Sequence, residues 1–277
     1  MIDLHLHTTA SDGRSTPGEL VDLAVRAGLT VMAVTDHDTT AAVADVRAIA
    51  ADRGIESIAG IEITAVLDGR DVHMLAYFFE PRHVALMTFL AGQRQIRLAR
   101  IEAILERLAE LKMPLNFKPQ LELARRQTGL SLARPHVARA MVAAGFARDV
   151  RAAFDQWLGE GRPAYVERVG PSPAAVAAAV HAAGGLVSLA HPGRTRIDDH
   201  IPALVADGLD ALEAFHSDHD AAAVARYRAM AAAHGLLTTG GSDFHADPGS
   251  AVAIGSSVLP FEEWQRLHAA RGRYQAS

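Results

Sequence analysis

Short apolar runs alternate with longer amphipathic stretches along most of this chain, and that rhythm predicts βα units. The first run, Ile2-Asp-Leu-His-Leu-His7, reads as a strand. Side chains two apart share a face, so His5 and His7 point one way while Ile2, Leu4 and Leu6 point the other. Ser15-Thr-Pro-Gly-Glu19 then opens a helix: Thr16 can cap, Pro17 suits the first helical position, and Glu19 sits three residues past the cap. Gly28 ends it. Val31-Met-Ala-Val34 is apolar on both faces, as a buried parallel strand is, and runs into Thr35-Asp-His-Asp-Thr39. A helix over 40–53, a strand over Ser57–Thr64 and an apolar strand over Val72–Phe79, bearing His73, follow.

From Arg82 the pattern changes. Residues 82–158 read as helical throughout: a long stretch to Leu111, then helices near 119–127, 135–144 and 149–158. The alternation resumes with a helix over 173–183, strand Gly185–Ala190, a helix over 200–207, strand Leu209–Phe215, a helix over 219–234 and strand Leu236–Thr239. A final strand near 251–254 and a helix over 260–270 close the series. The expected organisation is a barrel built from residues 1–97 and 169–277, interrupted by a small helical insertion domain at 98–168. Repeated βα units of this length predict a parallel barrel whose catalytic residues lie where strands end.

Composition narrows the chemistry. With 277 residues, 49% hydrophobic and 21% charged, the chain can bury a sizeable core. It has no cysteine, so any metal must be held by imidazole and carboxylate groups. No charged leader precedes an apolar core segment, and no apolar run reaches the ~18 residues of a membrane span. A soluble cytoplasmic protein is expected, with neither membrane nor duplex DNA as partner. The net charge of −5 is uneven: residues 80–151 carry 13 Lys/Arg against six Asp/Glu, so a basic middle sits on an acidic body. Such a middle attracts small polyanions.

Ten polar residues, His5 and His7 of the first strand among them, are candidates for one site. His5, His7, Asp12, His37, Glu62, His191, Asp243 and His245 fall at or just after predicted strand ends, His73 lies on a strand, and His136 lies in the insertion. The other seven histidines, among them His216 and His219, are set aside, most as helix-surface residues. Ten ligands exceed what one ion takes, so the count implies two or three divalent metals sharing carboxylates. Sites of that kind hydrolyse phosphate esters.

These motifs, His-Leu-His at 5–7, Asp12, Thr-Asp-His-Asp at 35–38, Glu62, His73, Arg-Pro-His at 134–136, His-Pro at 191–192 and Ser-Asp-Phe-His at 242–245, resemble the PHP (polymerase and histidinol phosphatase) family. Arg-Pro-His, the insertion and Gly161-Arg-Pro-Ala-Tyr-Val166 are similar to its branch of nucleoside 3′,5′-bisphosphate phosphatases, which includes a 5′-to-3′ exonuclease of short RNA. The resemblance implies an α/β fold, a distorted (β/α)7 barrel with the insertion. It also implies dependence on manganese, with iron or zinc as alternatives. The reaction it implies is removal of the 3′-phosphate of adenosine 3′,5′-bisphosphate, or hydrolysis of short 5′-phosphorylated RNA, by in-line attack of a metal-bridging hydroxide. Asp243, His191 and Glu62 are then the catalytic core, and Arg134 and Arg194 are candidates to grip a second phosphate. A histidinol-phosphate phosphatase is the alternative enzyme; a metal-binding or polymerase-associated module without turnover is the alternative outside catalysis.

Overall fold

The computed structural model describes residues 1–127 and 129–274. Strand β1 (Ile2–Leu6) leads to helix α1 (Pro17–Ala27). Thr16 and Glu19 close the expected capping box, and Gly28 ends the helix at φ 76°. Strand β2 (Val31–Val34), helix α2 (Val43–Asp52), strand β3 (Glu56–Leu67) and strand β4 (Arg70–Tyr77) complete the first half. The second half holds α7 (Pro173–Ala182), β5 (Leu186–Leu189), a single turn α8 (Pro192–Thr195), α9 (Ile201–Ala206), β6 (Ala211–His216), α10 (Ala221–Ala233), β7 (Leu237–Gly241) and α11 (Phe261–Ala269). No helix is long and apolar enough to cross a membrane among the described residues.

The seven strands form one sheet in sequence order. Its first and last strands meet where the segment after β7 crosses β1: His7 N–H donates to Phe244 O at 3.0 Å and Asp243 N–H to His5 O at 2.9 Å. A Cβ on Gly241 would stand 2.4 Å from the His5 nitrogen, so only glycine permits this approach. The barrel is therefore nearly closed, but it is not all parallel. β4 runs antiparallel to both β3 and β5. Asp68 and Gly69, at φ 50° and 77°, make the two-residue turn between β3 and β4. A link that short can only return the chain antiparallel. Residues 251–254, expected as a strand, form none.

The insertion hangs on one helix. α3 (Val84–Glu110) is 27 residues long, about 40 Å at the α-helical rise. Its beginning packs Leu86 and Leu90 into the main barrel core, while Leu98, Ile101, Ile104 and Leu108 belong to a separate apolar cluster. That cluster also takes residues from α4 (Lys118–Arg126), α5 (Arg134–Ala143), α6 (Val150–Ala153) and the π-helical turn Phe154–Leu158 that continues α6. Arg97 and Arg100 lie on α3 where it passes from one core to the other.

Candidate metal centre

Glu62 is the hub. It stands in the middle of β3, not at its end, and is almost wholly buried. Five histidines surround its two oxygens. His5 Nε2 and His7 Nε2 are each 3.4 Å from Oε2 and His37 Nδ1 is 3.1 Å from it; His73 Nδ1 and His191 Nε2 are 2.8 and 3.1 Å from Oε1. Asp243 Oδ1 closes the first group, at 3.3 Å from both His5 Nε2 and His7 Nε2. Four of the six distances among these donors are thus 3.3–3.4 Å. A tetrahedron of ligands about 2.0–2.1 Å from its centre has edges of about 3.3–3.4 Å. A second group surrounds Asp12, whose oxygens lie 3.4 Å from His37 Nε2 and 3.3 Å from His245 Nε2, with His7 alongside. His37, Glu62 and His73 make a third.

Nine of the ten expected ligands therefore meet in one place. His136 does not join these groups: its Nδ1 accepts the Ala133 N–H at 3.1 Å and so caps the start of α5.

The fit to cations can be judged from atoms left without partners. His5 Nε2, both His7 nitrogens, His37 Nδ1, His73 Nδ1, His191 Nδ1 and Glu62 Oε2 are buried with no hydrogen bond. Buried polar groups without partners cost a few kcal/mol each. So many converging on one spot suit a bound positive charge. The carboxylates and two of the imidazoles are already in the ligating form, whereas for His5 and His37 burial would lower the pKa but the carboxylates around them raise it. Burial would raise the Glu62 carboxyl, but His37, His73 and His5 hold it well below the usual range. His37 and His245 do the same for Asp12, and His5 and His245 for Asp243, again against burial. Burial, with His245 and His37 nearby, pushes His7 down to about 3, and burial pushes His73 to about 4. Ionised carboxylates and bare imidazoles are the forms that bind divalent ions. Asp12 and Asp243 lift His245 to about 10 in spite of burial, a sign of how strongly the centre calls for positive charge.

Buried carboxylates behind the centre fix its loops. Asp36 accepts from Thr8 N–H at 2.8 Å, Thr8 Oγ1 at 2.6 Å and Ser11 Oγ at 2.6 Å, which sets the path after β1. Asp3 accepts from Ser242 N–H, Ser242 Oγ and Gly255 N–H, tying β1 to the segment after β7; burial raises its pKa to about 6. His191 (φ 29°) and Asp243 (φ 57°) have left-handed backbones, which side-chain-bearing residues adopt at a cost of about 1–3 kcal/mol where the surroundings impose them.

The centre opens into a cavity of about 780 Å³ whose other wall is cationic. Arg97 Nε and Arg168 Nη2 donate to Asp38, the latter at 3.2 Å. Arg100 and Arg134 pair with Asp71 at 2.8 and 3.2 Å. Four arginines thus face two carboxylates, and Arg100 Nη2 and Arg168 Nε are buried without partners. Burial and the neighbouring Arg97 lower the Arg168 pKa to about 10. The Arg134 guanidinium lies 5.7 Å from the Phe154 ring centroid and 5.9 Å from that of Tyr165. Arg194, half-exposed at the mouth, reaches Asp243 Oδ2 at 3.2 Å.

Sequence reasoning passed over several of these groups. Arg97, Arg100 and Arg168 carry no motif. Glu213 sits in an apolar strand, and a carboxylate in a fully buried run is itself a signal. His216, set aside as surface, is buried and its Nε2 faces Asp243 Oδ2 at 3.5 Å. His219, also set aside, accepts the Gly193 N–H at 3.2 Å.

A family model described as PHP domain matches residues 3–131. The 5′-3′ exoribonuclease Rnm of Escherichia coli is 33% identical over 253 residues, covering 88% of this chain and 84% of that protein. A 3′,5′-nucleoside bisphosphate phosphatase of Chromobacterium violaceum is 33% identical over 250 residues, covering 88% and 87%. The crystal structure of a metal-dependent phosphoesterase from Bifidobacterium adolescentis superposes with a TM-score of 0.88 at 35% identity, over 98% of this chain and 96% of that one.

Proposed function

The chain belongs to the PHP family of metal-dependent phosphoesterases, and from that premise we propose that this phosphoric ester hydrolase removes the 3′-phosphate of nucleoside 3′,5′-bisphosphates. Short 5′-phosphorylated RNA is its second substrate, taken from the 5′ end in the same cavity. The observation that carries this reading is the pairing of opposite demands in one 780 Å³ space: donors for cations on one wall, unpartnered guanidinium N–H groups on the other.

We assign His5, His7, Glu62 and Asp243 to one ion, Asp12, His37 and His245 to a second, and Glu62 and His73, with His191 beside them, to a third. Manganese is the ion we expect, with iron or zinc compatible with the same nitrogen and oxygen donors. Divalent ions held there neutralise charge on the phosphoryl oxygens and make water a nucleophile at neutral pH. The chain does the rest. Arg134, with Arg100 and Arg168, takes the 5′-phosphate, since guanidinium meets phosphate oxygens two at a time. Arg194, in contact with Asp243, stands where it can steady the phosphoryl group under attack. An RNA 5′-end offers the same terminal phosphate, and its first linkage takes the position of the 3′-phosphate. Histidinol phosphate has one phosphate and leaves the arginine wall unused.

Manganese-loaded protein incubated with adenosine 3′,5′-bisphosphate, a short 5′-phosphorylated RNA and histidinol phosphate tests this through kcat/KM. The bisphosphate and the RNA should lead. Preference for histidinol phosphate, or turnover of none, would overturn the reading.

A further inference from the structure

Strand β6 supplies none of the ligands assigned above, yet two of its side chains press on three of them. Its register against β7 explains how. Glu213 pairs with Thr239 and His216 with Gly241, so three steps on β6 match two on β7. The extra residue is a β-bulge, which re-aims side chains beyond it. Strict alternation would put Glu213 and His216 on opposite faces; the bulge puts both toward the metal centre.

His5, Glu213 and His216 lie close enough together to share an ion, but both β6 side chains already have partners that place them one layer behind the ligands. Glu213 is fully buried with both oxygens in use: Oε1 accepts from His5 Nδ1 at 2.9 Å, and Oε2 accepts the His191 backbone N–H at 2.7 Å. The first bond fixes the His5 ring with Nδ1–H outward and Nε2 facing Glu62 and Asp243. The second holds the left-handed backbone of His191. His216 Nδ1 accepts the Asp218 N–H at 3.0 Å, so its proton sits on Nε2, which points at Asp243 Oδ2.

We propose that Glu213 and His216 are positioning residues: a bracket on β6 that sets His5, His191 and Asp243, ligands from three other segments, in register with one another before any ion arrives. The proposal rests on the reading of the cluster as a metal centre. Partners one layer behind the ligands orient them and are worth about 10- to 100-fold in affinity.

The test uses the full chain, stripped with a chelator and titrated calorimetrically with Mn²⁺ alone. Glu213→Leu, of similar bulk without acceptors, should weaken the tightest binding step about 10- to 100-fold. Glu213→Gln, keeping one acceptor, should stay within about tenfold of wild type by the same comparison. Thermal unfolding of the stripped variants checks folding. A second measurement needs no variant: side-chain ¹⁵N spectra of the stripped wild type should place the His216 proton on Nε2, and the His5 Nδ1 proton in a strong hydrogen bond. Wild-type affinity in Glu213→Leu, or a His216 proton on Nδ1, would overturn the bracket alone. Wild type that takes up no Mn²⁺ would overturn the metal-centre reading and the bracket with it.

Discussion

The two walls of the cavity are built on opposite plans. The metal wall is made from strands and the loops leaving them, and several of its side chains are braced by a backbone or carboxylate partner, as His5 is by Glu213 and His245 Nδ1 by Asp243 O at 2.9 Å. The arginine wall is made from helices and one returning segment: Arg97 and Arg100 on α3, Arg134 at the start of α5, and Arg168 on the way back to the barrel. Braced ligands keep their geometry when empty, as a reaction centre requires. Long guanidinium arms with N–H groups to spare form a general grip for a dianion. On the proposed reading the difference separates chemistry from selectivity: the barrel wall would break the bond, and the arginine wall would choose the molecule.

Four experiments press on that division, in falling order of effect. Asp243→Asn and Glu62→Gln strike the barrel wall and should lower kcat by roughly 10³- to 10⁶-fold, as removal of central catalytic groups does elsewhere, with unchanged circular dichroism. Wild-type turnover in either would dissolve the assignment. Arg134→Ala strikes the other wall. Loss of a charge-assisted hydrogen bond worth about 1.5–3 kcal/mol should raise KM for the bisphosphate roughly 10- to 100-fold, and leave a simple monoester nearly unchanged. Equal effects on both substrates would erase the distinction between the walls.

Chelation is the third. A ligand at 100 times its Kd stabilises by about 2.7 kcal/mol, so stripping the ions should lower Tm by roughly 5–10 °C for a chain of this size. Amide exchange should quicken in β1 and the segment after β7, and hold steady at Ile101, Ile104 and Leu108 in the insertion core. The smallest effect belongs to a carboxylate outside both walls. Burial would raise Asp210, but His181, the Val187 N–H and Tyr274 hold it below the usual range. Its stabilising share is present above the unfolded value of about 3.9 and is lost as pH falls through the folded one. Asp210→Asn should therefore lower Tm at pH 7, converge with wild type only as the pH falls below the ordinary carboxylate range, and leave kcat untouched.

The legible parts of the site were those tied to short-range pattern. His5 and His7 are two apart, and Thr35-Asp-His-Asp follows a plainly buried strand, so their proximity to a strand end could be inferred. The Asp68-Gly69 turn was equally legible, since that dipeptide is a strong hairpin signal, but the expectation of βα repeats overrode it. His216 was lost for a different reason: a bulge shifts the face of every residue after it and leaves no mark in composition. The arginine wall was least readable. Its members come from sequence positions 97–168 and converge only through the paths of α3 and α5, so charge counting sensed the basic middle without indicating which guanidinium groups turn inward.

The seam between β1 and the segment after β7 carries a consequence for biosynthesis. Asp243, the companion of His5, follows it 238 positions later in the chain and so leaves the ribosome after it. At about 5–20 residues per second, that interval is roughly 10–50 s. During it His5 and His7 are joined by Asp12, His37, Glu62 and His73, but Asp243 and His245 are still missing. The group around His5 is therefore completed only when the segment after β7 closes on β1, which makes that seam the last part of the cluster to assemble.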